Sequence, residues 1–154
     1  MDAIDRKILQ HLVADGRMSF AAIGRSVNLS TPAVHQRVRQ LERRGVITGY
    51  GARVSPAALG LGLSGLVAME TEHDLDAIVR AVRTMPEVEA CWSTAGTSDL
   101  LLKVRAADPP AMERLLVRLR GLAGVDRTRT TILLATQFER EPDPAALGAL
   151  DDGR

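Results

Sequence analysis

The chain has 154 residues, 45% hydrophobic and 25% charged, the balance of a water-soluble globular protein rather than a disordered or membrane-embedded one. Its single cysteine, Cys91, excludes an intrachain disulfide and a Cys-cluster zinc site, and no apolar run approaches the ~20 residues of a membrane-spanning helix. The net charge of +1 conceals an asymmetry, because residues 1–50 carry eight basic against four acidic side chains and the remainder carries 12 against 15.

A basic end joined to a mildly acidic body points that end at a polyanion. No apolar signal segment follows Met1, so a cytoplasmic protein is expected. Aromatics are only 3% of the chain, so the core must come from Leu, Val, Ile, Ala and Met. Small units built this way bury little area, which favours association between chains.

The first fifty residues read as three helices. Ile4, Ile8, Leu9 and Leu12 fall at helical spacing after Asp2, and Asp15-Gly16 ends that helix. Ser19 caps a short second helix with Phe20, Ile23 and Val27 inward. Asn28-Leu29 forms a tight turn, and Ser30 caps a third helix over Thr31 to Arg44, stopped by Gly45. Val46 to Tyr50 and Ala52 to Val54 are β-prone, suited to a wing or an exit strand. Ser55 to Gly60 reads as a linker holding a capped helical turn.

Beyond the linker the pattern is strand, helix, strand, strand, helix, strand. Leu61 to Met69 reads as a strand buried on both faces. Asp74 caps a helix ended by Pro86, with His73 exposed at its start. Val88 to Ala95 and Leu100 to Arg105 are strands around the turn Gly96-Thr97-Ser98-Asp99. Asp108-Pro109 opens a helix with Met112, Leu115, Leu116 and Leu119 as its apolar stripe, and Val125 to Gln137 is the last strand. This is the split βαβ, ferredoxin-like order, with both helices on one face of an antiparallel sheet. The opposite face, lined by alternating apolar residues, needs a cover, and a second copy is expected to provide it. The fold class is therefore α+β: a helix-turn-helix domain over 1–50, a linker over 51–61, a βαββαβ domain over 62–140 and a tail over 141–154.

At 100° per residue, Val34, Val38 and Leu41 cluster within about one sixth of a turn of the third helix and face its core. Opposite them lie Pro32, Gln36, Arg39 and Arg43, flanked by His35 and Gln40. Such a helix fits the major groove, where Arg reads guanine and Gln reads adenine through paired hydrogen bonds. Thr31, Pro32, His35, Gln36 and Arg39 are assigned to the base edges, and Ser30 at the cap is counted among the DNA-binding residues. Arg25, Arg37, Arg43 and Arg44 are assigned to phosphates. A polar helix face more often only meets water, but a solvated face mixes both signs of charge and this one nearly lacks acid.

In the second half, the turn Gly96-Thr97-Ser98-Asp99 offers close backbone approach, two hydroxyls and a carboxylate suited to an ammonium. By itself it is an ordinary hairpin turn. Thr128 and Thr130 share one face of the last strand and are the next candidates. No Ser/His/Asp order, Cys–His pair or Gly-rich phosphate loop stands out, so no catalytic residue, metal or cofactor is expected. The alternative is a small-molecule-binding or enzymatic ferredoxin-like domain with an N-terminal protein-interaction module.

Several residues in joint order resemble the Lrp/AsnC (feast/famine) family of transcription regulators. They include Asp5-Arg6-Lys7-Ile8-Leu9, Gly16-Arg17, Leu29-Ser30, Arg37-Val38, Leu41-Glu42, Gly45-Val46-Ile47 and Gly49-Tyr50. Further on come Pro86-Glu87-Val88, Cys91, Gly96 with Asp99, Leu101-Leu102-Lys103-Val104, Gly124-Val125 and Thr128-Arg129-Thr130. The chain departs from the family at Ser98, where many members carry an aromatic. The resemblance implies double-stranded DNA as partner and homodimers that assemble into octamers or discs. It also implies an amino-acid effector, bound around the Gly96–Asp99 loop at dimer–dimer contacts.

Overall fold

The structure, a computed structural model, describes residues 1–72, 74–140, 142 and 144; the expectations for His73 and for most of the 141–154 tail lie outside the described residues. The chain divides into two compact units, Met1–Arg53 with Phe138–Arg154, and Val54–Gln137.

The first unit holds α1 (Ala3–Ala14), α2 (Phe20–Val27) and α3 (Thr31–Arg43). Asp2 and Asp5 form a capping box at the start of α1, each side chain accepting the other's backbone N–H. Ser19 and Ser30 accept from Ala22 and Ala33 N–H at 3.2 and 3.4 Å, so the expected caps start α2 and α3. Ile8, Ile23, Val27, Val34 and Val38 form the core, with Ile4, Leu12, Phe20, Leu29 and Ile47 against it. Each such side chain contributes about 1.5–3 kcal/mol on full burial, so the three amphipathic faces hold one another.

The β-prone stretch after Gly45 forms no strand. Gly45, at φ 68°, lets the chain turn back, and Val46 and Gly45 N–H donate to the Leu41 and Glu42 carbonyls. Tyr50 then reaches Glu42 at 2.9 Å. The segment is thus spent on finishing α3 instead of pairing.

The second unit begins with a 3₁₀ turn, Ala57–Leu59, which has no side-chain cap, contrary to the expected one. It continues as β1 (Leu63–Thr71), α4 (Leu75–Arg83), β2 (Val88–Ser93), β3 (Leu100–Ala106), α5 (Pro109–Arg120) and β4 (Val125–Leu133). The sheet is antiparallel in order β2-β3-β1-β4, as the sequence order implies. Val67, Met69, Leu100, Leu102 and Val104 meet Ile78, Val82, Met112, Leu115 and Leu119 of the helices.

Three expectations about this sheet need correction. β1 is not buried on both faces: Val67 and Met69 are fully buried under the helices, whereas Leu66 and Ala68 are half-buried on the other side. That open face is also not simply apolar. The register sets Trp92, Leu101, Ala68 and Arg129 in one row across the sheet, and Lys103, Leu66 and Thr131 in the next. β4 also stops at Leu133 rather than Gln137, where the pairing with Ser64 at the start of β1 runs out.

Candidate nucleic-acid interface and effector loop

The approach of α2 to α3 depends on Gly24. A Cβ there would lie 2.5 Å from the Leu29 carbonyl oxygen, whose residue also donates its N–H to the Gly24 carbonyl at 2.9 Å. Asn28 turns the chain in the left-handed region at φ 55°, which asparagine tolerates better than most residues. Gly24 belongs to no motif in the sequence, where a lone Gly four residues before Asn28 is its one signal.

On α3 the packing buries Val34, Val38 and Leu41 and leaves Thr31, Pro32, His35, Gln36, Arg39 and Arg43 exposed, as are Arg25, Ser30 and Arg44. The His35 ring lies 5.6 Å from that of Phe20 at the start of α2. Pro32 sits in the first turn, where its missing N–H costs nothing. The exposed face presents amide, imidazole and guanidinium groups and no carboxylate until Glu42, which holds the Tyr50 hydroxyl.

Arg37 stands apart from this group. It is half-buried, and its Nη1 donates at 2.7 Å to both Asp2 Oδ2 and Asp5 Oδ1. The Asp5 N–H and then Arg37 hold the Asp2 carboxyl below its ordinary range, and the two carboxylates raise the Arg37 guanidinium in turn. Asp2, Asp5 and Arg37 therefore fasten the start of α1 to the middle of α3. Nearby, Ser26 Oγ donates to the Ile23 carbonyl and meets His11 Nε2 at 2.5 Å, joining α1 to α2.

In the second unit, residues 94–99 close on themselves. Thr94 donates through Oγ1 to the Ser98 carbonyl and through its N–H to that of Asp99. Asp99 is anchored to β1: its N–H donates to Met69, and its Oδ2 accepts from Thr71 N–H and Oγ1 at 2.7 and 3.0 Å. Gly96, Thr97 and Asp99 are exposed and Ser98 is half-buried. Thr71 and Thr94 were missed in the sequence because their roles arise only from strand register.

Thr128 and Thr130 do share one face, but it is the face covered by the helices, since they pair with Met69 and Val67. Leu100, next to Asp99, also pairs with Met69, so Thr128 stands two strand spacings away, roughly 10 Å. Among the described residues no group of three His, Cys, Asp or Glu side chains is placed to hold a metal ion, and no helix is long and apolar enough to cross a membrane.

The AsnC-type helix-turn-helix domain model matches residues 1–42, and the Lrp/AsnC ligand binding domain model matches residues 66–143. The HTH-type transcriptional regulator LrpA of Mycobacterium tuberculosis is 44% identical over 141 residues, covering 90% of this chain and 93% of its own. A feast or famine regulatory protein from M. tuberculosis complexed with L-methionine is 42% identical with a TM-score of 0.86, covering 93% of this chain and 99% of that one. A transcriptional regulator/L-Met complex from Neisseria meningitidis is 28% identical with a TM-score of 0.85, covering 93% and 95%. A three-helix unit built around a Gly24 turn, followed by a βαββαβ sheet and matched by both domain models, makes this chain a member of the Lrp/AsnC family of DNA-binding transcriptional regulators, which are not enzymes.

Proposed function

We propose that the chain regulates genes of amino-acid or related metabolism by reading DNA through α3 and sensing an amino acid at the Gly96–Asp99 loop. The observation that carries the reading is the exposed, acid-poor face of α3. Gln36 there can donate and accept at once, as the adenine edge requires, and Arg39 can donate twice, as the guanine edge requires. Thr31, Pro32 and His35 complete the base-edge set. Ser30 lies at the helix N-terminus, where backbone N–H groups suit a phosphate. Arg25, Arg43 and Arg44 contact phosphates; Arg37 acts through the fold, because its guanidinium is engaged by Asp2 and Asp5.

An amino acid brings an ammonium and a carboxylate. Asp99 keeps Oδ1 beyond its two bonds from Thr71, and the hydroxyls of Thr97 and Ser98 stand beside it. L-methionine, the ligand of two related proteins, is the first candidate. Thr128 and Thr130 contribute only from the covered side of the sheet. The open face, with half-buried Leu66 and Leu101 and exposed Trp92, is the surface for a homodimer, and dimers assemble to an octamer. A dimer presents two recognition helices to half-sites about one duplex turn, roughly 10 bp, apart. The effector acts by binding one assembly state more tightly than another.

Selection of duplexes from a random pool tests this reading. Enriched sequences should form a two-fold symmetric site, and L-methionine should alter the affinity or spacing selected. Enrichment of no common sequence would reject it.

A further inference from the structure

α3 is braced on two flanks. Arg37 and His35 lie about 200° apart around its axis, and Arg37 is turned to the carboxylates of α1. His35 is on the side of α2, where its ring meets that of Phe20 with 5.6 Å between centroids and 50° between planes. A tilted pair at that separation is an attractive aromatic geometry. The two braces differ in what they leave over. The guanidinium of Arg37 is engaged by Asp2 and Asp5. His35 is exposed, and among the described residues no hydrogen bond takes either of its ring nitrogens.

Packing alone does not ask for a ring at position 20. The core of this unit is aliphatic, made of Ile8, Ile23, Val27, Val34 and Val38, and Phe20 is half-buried at its rim. Phe20 opens α2 one turn before Gly24, so the two share a face of that helix. That face is the one set against α3, since a Cβ at Gly24 would lie 3.6 Å from Val34 Cγ2. A leucine at position 20 would cover the same core but give the imidazole no ring to lean on.

We propose that Phe20 is a positioning residue for DNA recognition: its ring holds His35 so that an imidazole N–H donates to a purine N7 in the major groove. The inference rests on the reading of DNA by α3. A side chain already held in place gives up less rotamer freedom when it binds. N7 is an acceptor on adenine and guanine alike, and neither pyrimidine has it. The chain therefore prefers a purine over a pyrimidine on one strand at one base pair of each half-site, without choosing between the two purines there.

Selection from a random duplex pool, followed by competition binding at each enriched position, tests this with His35→Ala, Phe20→Leu, Phe20→Tyr and Arg39→Ala beside the wild type. His35→Ala and Phe20→Leu should lose the purine preference at the same base pair, by roughly two- to tenfold, and keep the preferences elsewhere. Phe20→Tyr, which retains the ring, should keep it. Adding Phe20→Leu to His35→Ala should change no preference further, because Phe20 acts through the imidazole. A Phe20→Leu protein that keeps the purine preference while Arg39→Ala alters its own base pair would overturn the proposal and leave the reading by α3 standing. Preferences weakened alike at every base pair in Phe20→Leu would also overturn it, as the mark of a disturbed fold. Unchanged preferences in all four variants, Arg39→Ala included, would reject the reading by α3 and the proposal with it.

Discussion

Arg37 on α3 donates to the carboxylate of Asp5 on α1 across 32 positions of sequence, at 2.7 Å. The Asp5 side chain is only 13% exposed, so the pair is shielded from the solvent that makes most surface ion pairs worth little. An arginine of α3 thus holds the helical unit together.

Arg37→Ala should destabilise the helical unit by about 1–3 kcal/mol, the range for hydrogen bonds to charged groups. Chemical denaturation measures this. The folded variant should keep the wild-type slope of log affinity against log salt, whereas Arg43→Ala should lower that slope by about one. A reduced slope for Arg37→Ala would return Arg37 to the phosphate contacts.

The same cluster sets an acid limit. The Asp2 carboxyl titrates lower in the folded than in the unfolded chain, first through the Asp5 N–H and then through Arg37. Its contribution is therefore fully present above the ordinary aspartate pKa of about 3.9. It is lost as pH falls through the lower folded value. Melting followed from pH 6 to pH 3 should show a decline that begins near the ordinary value and is smaller in Asp2→Asn.

Gly24→Ala sets two effects against each other. Alanine is favoured over glycine in a helix by about 1 kcal/mol. Its Cβ would meet the Leu29 carbonyl at 2.5 Å, and a backbone atom cannot swing aside. The clash should win, with a net loss of at least about 1 kcal/mol in denaturant unfolding. A stabilised variant would show that the turn has room to open.

Tyr50 is the only tyrosine, so its alkaline titration can be followed without ambiguity. Partial burial, then its hydrogen bond to Glu42, pushes its pKa up to about 12. The neutral phenol is the form the fold prefers, so this stabilisation is complete below about pH 10 and lost as pH rises through the folded value. Absorbance of the phenolate should give a midpoint near 12 in the folded protein, and Glu42→Gln should lower it.

Asp99 has two duties that substitutions can separate. Asp99→Asn keeps an oxygen for Thr71 but removes the charge that would meet an ammonium; Asp99→Ala removes both. Calorimetry with L-methionine should show weakened binding in both variants, and only Asp99→Ala should also lower the melting temperature. Wild-type affinity in Asp99→Asn would remove Asp99 from the effector contacts.

Periodicity and caps made the elements legible in the sequence, because Asp2, Ser19, Ser30, Asp74 and Asp108 act on residues only three positions away. The exposed face of α3 was legible for the same reason, since one helix sets its own geometry. What stayed hidden was non-local. Arg37 reads like its neighbouring arginines until α1 brings two carboxylates to it. Asp99 reads as a free turn residue until the register of β1 and β3 places it against Thr71. The β-prone run after Gly45 was misjudged because propensity does not reveal that its amides are engaged by the end of α3.

The most direct test is equilibrium binding of wild-type and Arg39→Ala protein to a selected operator and to a scrambled duplex, at several salt concentrations. Arg39→Ala should lose about 1–3 kcal/mol on the operator and much less on the scrambled duplex. Wild-type discrimination between the two duplexes in that variant would contradict the assignment of α3 as the helix that reads DNA.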